Sequence, residues 1–264
     1  MRGCYIGNNR VLVHLTWGGK MIVNSNDLSL APDLIIHGVY DVPLTNYILK
    51  NLKRGQVFVD VGANMGLFTI LAGYLVGKEG YVVAFEANVK HYEIIRENLA
   101  MNYLTEQTLV FNAAVYSEET KLTFHATEKF MGNGSLIEHD ENYKNRYHVD
   151  TYSSYEVDAV ALDPLFTDVE YIDLVKIDIE GGEYHAFLGL EESLRTRKVG
   201  TVIFELNKQM LRNKWFTFMN RLMECRDDYG YKFFILDQKG ETIPTDIDNL
   251  FMQDEVHAVV MSIK

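Results

Sequence analysis

The chain has 264 residues, of which 47% are hydrophobic, and a formal net charge of −12. This length and apolar content support one large α/β domain with additions, and the acidic balance argues against a general nucleic-acid binder, which needs a basic face for phosphates. Cys4 and Cys225 make neither a disulfide framework nor a zinc site, the N-terminus lacks a basic-then-apolar leader, and no apolar stretch approaches the ~18 residues of a membrane span, so a cytoplasmic enzyme is expected.

Residues 1–24 read as short strands at Cys4–Gly7, Val11–Leu15 and Met21–Val23, with Gly18-Gly19 as a hairpin turn. Residues 27–54 read as two helical segments separated near Gly38 and Pro43. Positions 1–54 are therefore expected to form an N-terminal extension, with 55–264 as the main domain. From residue 56 strands alternate with helices. Strands are expected at Gln56–Val61, Tyr81–Glu86, Thr108–Ala114, Tyr171–Asp178, Thr201–Leu206, Tyr231–Leu236 and Val256–Ser262, with an extra one at Lys121–His125. Helices are expected at Met65–Val76 and Val89–Asn102. This alternation implies a mainly parallel sheet with helices on both faces and a hairpin-like antiparallel end. The segment 126–154 is polar, rich in tyrosine and without periodicity. It is expected to be a lid or substrate-facing loop, since long loops in compact domains are commonly functional.

The chemistry concentrates at strand ends. The stretch Val57-Phe58-Val59-Asp60-Val61-Gly62-Ala63-Asn64-Met65-Gly66 runs a buried strand through a glycine turn into a helix, the arrangement that forms a nucleotide pocket at the carboxyl edge of a sheet. It is neither a full G-x-G-x-x-G nor a P-loop. Asp60 would repel a pyrophosphate and suits a cationic ligand that carries an adenosine, such as S-adenosylmethionine. Glu86, 26 residues beyond Asp60, ends the next strand, where a carboxylate can accept hydrogen bonds from both ribose hydroxyls. A carboxylate that favours a helix N-terminus would occupy the same position. Asn112 could read adenine or could serve a turn. Asp178, Glu180 and Glu183 crowd the end of a later strand, where mutual repulsion could raise one pKa and create a general base; helix capping competes for Glu183. His185 is a weaker possibility. Asp178 and Glu205 could hold a divalent metal, or could be polar residues satisfied at strand ends.

Three blocks carry a resemblance: Phe58-Val59-Asp60-Val61-Gly62-Ala63-Asn64-Met65-Gly66, Val83-Ala84-Phe85-Glu86-Ala87-Asn88 with Asn98-Leu99, and Val175-Lys176-Ile177-Asp178-Ile179-Glu180-Gly181-Gly182-Glu183. Together they resemble the FkbM family of S-adenosylmethionine-dependent methyltransferases over about residues 55–206. The Gly181-Gly182 pair, where Gly-Ala is frequent, is a small departure. The resemblance implies a class I methyltransferase fold of seven strands, the last antiparallel. It places Asp60, Gly62, Asn64 and Gly66 around the methionine part of the cofactor, Glu86 at the ribose and Asn112 towards the adenine. It also implies a small-molecule or glycan acceptor, with a hydroxyl of a sugar or natural product methylated.

On this reading Asp178 or Glu180 faces the acceptor as the carboxylate base, with Glu183 second. If a metal is used, Asp178 and Glu205 would bind it instead. The rivals are an NAD-dependent oxidoreductase, a non-catalytic module that retains the fold, and a nucleic-acid methyltransferase, which would carry a basic groove or an N-P-P-Y-like motif, neither of which is present.

Overall fold

Runs such as Val82-Val83-Ala84 and Leu174-Val175 are apolar at successive positions because both faces of their strands are covered. A computed structural model describes residues 1–263, Asn142 by its backbone alone. In chain order it contains strands β1 (Gly3–Gly7), β2 (Arg10–His14) and β3 (Lys20–Asn24), then helices α1 (Ala31–His37) and α2 (Val42–Asn51). The sequence β4 (Val57–Val61), α3 (Leu67–Val76), β5 (Tyr81–Phe85), α4 (Val89–Met101) and β6 (Thr108–Phe111) follows. Next come β7 (Ala114–Val115), β8 (Thr120–Thr127), α5 (Glu141–Arg146), β9 (Tyr152–Val160), β10 (Ile172–Ile177), α6 (Glu183–Gly189), α7 (Glu191–Arg195) and β11 (Val199–Asn207). The chain ends with α8 (Lys208–Leu211), α9 (Trp215–Asp227), β12 (Lys232–Leu236), β13 (Thr242–Thr245), α10 (Ile247–Phe251) and β14 (Glu255–Ser262).

The large sheet has the order β13-β12-β14-β11-β10-β4-β5-β6. Strands β6, β5, β4, β10 and β11 run parallel, and β14 inserts antiparallel between β11 and β12. The expected mainly parallel sheet with an antiparallel last strand is present, but the count of seven is corrected to eight. Thr242–Thr245 adds an edge strand on β12, where its central Pro244 can be tolerated. The expected strand Thr108–Ala114 also breaks at Asn112-Ala113, and Ala114-Val115 leaves for a separate three-stranded sheet, β7-β9-β8. The Lys121–His125 strand belongs to that sheet. The segment 126–154 begins in β8, ends in β9 and carries α5.

Side chains alternate between two cores. Val59, Val61, Val83 and Phe85 face α6 and α9, whereas Phe58, Val82 and Ala84 face α2, α3 and α4. The second core also takes in Val13, Met21 and Leu34 from the N-terminal extension. Two asparagines, four residues apart on α4, attach that region. Asn98 is fully buried; its Oδ1 accepts from Ile22 N at 2.7 Å and its Nδ2 donates to Ile22 O and Met65 O. Asn102 repeats the exchange with Lys20 N and O. The i, i+4 spacing puts both amides on one helix face, where they act as partners for the edge of β3. Among the described residues no helix is long and apolar enough to cross a membrane. Cys4 and Cys225 are free thiols.

Replacing Asn98 with Ala leaves three buried backbone groups without partners. We expect a loss of about 2–4 kcal/mol in urea unfolding, with Asn102→Ala, which is less enclosed, costing less.

Candidate active site

Strand order reverses between β4 and β10, since the chain steps from β4 to β5 and β6 on one side and later returns to β10 on the other. The crevice beyond the strand ends at such a point is where open α/β sheets bind ligands. Here the two loops touch. Gly62 has φ +78, and a Cβ there would lie 1.9 Å from the Asp178 carbonyl oxygen. Gly62 N and Ala63 N donate to Phe85 O, which closes the turn against β5.

Beneath the turn lies an ion pair that the sequence reading did not identify. Asp60 and Lys176 are cross-strand partners in the β4–β10 ladder, and both are buried. Lys176 Nζ lies 3.2 Å from Asp60 Oδ1 and donates to Gly62 O at 2.8 Å, while Thr69 Oγ1 donates to Asp60 Oδ2 at 2.6 Å. Burial favours the neutral amine, but the carboxylates of Asp60 and Asp178 outweigh it and hold Lys176 above its usual range. The Asp60 charge is matched by Lys176, and Asp60 lies behind the cavity wall instead of on it. The available signal was one charge of each sign, each one residue before the end of its strand and each flanked by apolar residues.

The cavity above is lined by Gly62, Asn64, Glu86, Lys176, Asp178 and Glu180, among others, and Tyr40 reaches it from the N-terminal extension. Glu86 Oε2 accepts from Asn64 N at 2.7 Å and Oε1 from Asn88 N at 2.8 Å. Burial lifts Glu86 to about 7 despite these amides. Each oxygen keeps a second lone pair for a ligand. Asn64 holds a left-handed φ of +52, and its buried Oδ1 has no partner among the described residues. Gly66, also left-handed, is the N-cap of α3 and packs near Ile95 rather than lining the cavity. Asn112 Nδ2 donates to Glu86 O and Ala87 O, tying down the loop that carries Glu86. The turn alternative weighed for this residue describes its contacts.

The carboxylates after β10 divide into two groups. Glu183 is buried at the first position of α6, where its Oε1 accepts from Ile179 N and Gly181 N of the preceding turn, so it braces that turn, makes no helix cap and does not face the cavity. Asp178 is half-exposed and Glu180 has φ +54; ligand oxygens of Asp178, Glu180 and Glu205 lie within 4.8 Å of one another. Burial, then the charge of Asp178, pushes Glu180 up, and burial, then Glu180, pushes Glu205 up. The proximity expected of a metal pair at Asp178 and Glu205 is there, and protons held on Glu180 and Glu205 relieve the same crowding of charge. His185 stacks on Tyr116 away from this cavity.

The segment 126–154 covers the cavity with Met131, Gly132, Asn133 and Gly134. Buried Asp27 holds it: Oδ1 accepts from Met131 N, and Oδ2 accepts from Leu30 N and Ala31 N. Gly132 N donates to Ser29 Oγ, and Leu28 N to Lys129 O. Tyr143, Tyr147 and Tyr152 pack on one another and on His139 and Phe130, so these rings form the covering segment's own small core.

Residues 60–233 match the family model described as the methyltransferase FkbM domain. The chain is 26% identical over 170 residues to methyltransferase sdnD of Sordaria araneosa, covering 55% of this chain and 64% of that protein. Among solved structures it is similar to methyltransferase FkbM from Methylobacillus flagellatus, at 15% identity and a TM-score of 0.49, covering 86% of this chain and 49% of that one. It is also similar to the tRNA (uracil-54, C5)-methyltransferase of Pyrococcus abyssi in complex with S-adenosyl-L-homocysteine, at 14% identity and a TM-score of 0.47, covering 97% and 44%. The chain thus spans less than two thirds of the length of each of these relatives.

Two measurements test the electrostatics. Lys176→Met strands the buried Asp60 charge and is expected to cost about 3–5 kcal/mol, part of which Asp60→Asn in the same chain restores. The second concerns pH. A carboxylate whose folded pKa is raised keeps a proton that the unfolded chain has released, so stability falls as pH climbs from its usual 4.5 through the folded value. His91, lowered to about 4 by burial, acts in the opposite sense only below its usual 6.5. Unfolding free energy is therefore expected to decline from about pH 6.5 to about 8, and Glu205→Gln to flatten the slope.

Proposed function

We propose, for a chain that belongs to the FkbM methyltransferase family, that it transfers the methyl group of S-adenosylmethionine to a hydroxyl of a sugar, glycan or natural product. The observation that carries this reading is that the Gly62–Asn64 turn and Glu86 line the same cavity as the half-exposed Asp178 and Glu180. The residues fit such a cofactor: Gly62 and Asn64 line the cavity, Asn64 Oδ1 is buried without a partner among the described residues, and Glu86 has free lone pairs. Because Lys176 matches Asp60, charge at that position no longer argues against a pyrophosphate. Family membership supports the sulfonium cofactor in its place.

When bound, the cofactor supplies a methyl group already activated on sulfur. The protein then has two tasks. The first is orientation: the covering segment and the 62–64 turn confine the reactants and exclude water, and positioning can supply much of the rate. The second is proton removal, as the acceptor oxygen forms its new bond to carbon. Asp178, half-exposed beside the cavity, receives that proton, while Glu180, whose carboxyl burial drives towards the protonated form, hydrogen-bonds the acceptor. Tyr40, whose phenol burial and Asp178 keep protonated, adds a donor on the same side. Glu183 acts on this machinery only through the turn it braces.

Titration calorimetry with S-adenosylhomocysteine and with NAD tests the cofactor class. Binding of the former alone, weakened on the order of tenfold or more in Glu86→Ala, is the expected result; binding of NAD alone would overturn the reading. With an acceptor in hand, Asp178→Asn is expected to lower turnover by on the order of a hundredfold with S-adenosylhomocysteine affinity retained. Unchanged turnover would remove Asp178 from the role of base.

A further inference from the structure

Beside Glu86 stands a second polar side chain to which no role has been given. His91 lies in the first turns of α4, is 3% exposed and contributes to the cavity wall. Its Nε2 is buried without a partner among the described residues. Its Nδ1 lies 3.8 Å from Glu86 Oε1. That separation is too long for a direct hydrogen bond. It suits one oxygen held at normal hydrogen-bond distance from both atoms, since two bonds of about 2.8 Å can meet across such a gap.

The proton inventory decides which oxygen. Glu86 in its ionised form only accepts. Burial keeps the imidazole neutral, so it carries one N–H. With that proton on Nδ1, the bridging atom must donate to the carboxylate and accept from the ring, as a hydroxyl does. Nε2 then carries a lone pair only, and it has no hydrogen-bond partner of either kind among the described residues. Nε2 stays without a partner whether or not that hydroxyl is present, and it is the spacing of Nδ1 from Glu86 at the cavity wall that fits a ligand hydroxyl.

We propose that His91 and Glu86 together hold one ribose hydroxyl of the adenosine cofactor, Nδ1–H of His91 donating to the hydroxyl and the hydroxyl donating to Glu86. This rests on the adenosine-cofactor reading above and adds a residue that determines ribose specificity.

The test is binding of S-adenosylhomocysteine and of its 2′-deoxy and 3′-deoxy analogues, by calorimetry, to wild type and to His91→Phe, His91→Asn and His91→Gln. An Asn amide can place a donor near the position of Nδ1, whereas Gln reaches towards that of Nε2. Wild type is expected to discriminate against one deoxy analogue. His91→Phe is expected to melt at or above the wild-type temperature, to bind the parent ligand on the order of tenfold more weakly, and to lose most of that discrimination. His91→Asn should recover more of both than His91→Gln. Should His91→Phe not fold, the Asn and Gln variants still decide the matter, because equal behaviour of those two overturns the Nδ1 assignment. Wild-type affinity and discrimination in His91→Phe, or equal losses for parent and deoxy ligands, overturn the inference and leave the cofactor reading standing. Absence of any S-adenosylhomocysteine binding to wild type overturns both.

Discussion

One buried ion pair underlies the geometry of this site. Two strands that are far apart in sequence lie side by side at the switch point, and each brings one charge into an otherwise apolar face: Asp60 from β4 and Lys176 from β10. Either charge alone would be costly to bury; together they offset one another, with Thr69 donating to Asp60 Oδ2 and Lys176 to the Gly62 carbonyl, while Asp60 Oδ1 faces Lys176 as an ion pair only. The bond from Lys176 to Gly62 O ties this pair to the turn that walls the cavity. The pair therefore links sheet register to pocket shape: a slip of one residue in either strand would turn one of these charges to the other face of the sheet and leave its partner unmatched.

Around that fixed turn, the rest of the site is assembled by segments that anchor one another. Glu86 is held by the amides of Asn64 and Asn88, and its loop is held from behind by Asn112. The covering segment is tied down by Asp27, which belongs to the region before β4, and that region is tied down in turn by Asn98 and Asn102 of α4. The N-terminal extension thus acts on the cavity through hydrogen bonds as well as by covering the sheet. The covering segment also has internal order. Its aromatic rings pack together, and Asp150 accepts from the amides of Glu128, Lys129 and Phe130. Charge is distributed unevenly: Asp60 is matched by Lys176, which also lies 3.8 Å from Asp178, whereas Asp178, Glu180 and Glu205 crowd together past the ends of β10 and β11, and protons take up the excess.

Much of this was legible in the residues because it depends on local pattern. Strand-helix alternation from residue 56 predicts the parallel sheet, and its last strand is antiparallel as expected. The glycine turn after β4 and the acidic end of β5 identify the pocket, since only short-range rules about turns and strand ends are needed to find them. The reading was less complete wherever a residue's role depends on a distant partner. Glu183 belongs to the same dense motif as Asp178, but its carboxylate folds back onto the amides of Ile179 and Gly181 while Asp178 stays half-exposed. The tyrosines after residue 140 pack on one another, on His139 and on Phe130, contacts that composition alone does not reveal.

The sequence by itself determined the fold class, the family and the two strand ends that form the pocket, because periodicity, glycine placement and motif spacing are properties of neighbouring residues. Tertiary structure alone decided that Asp60 is matched by Lys176, that Asp27 holds the cover, and that His91 stands 3.8 Å from Glu86. These are relations between segments that can lie far apart in the chain, as Asp60 and Lys176 do, and no periodicity encodes them. They arise only when sheet register and helix packing bring the charges and hydrogen-bonding groups into contact.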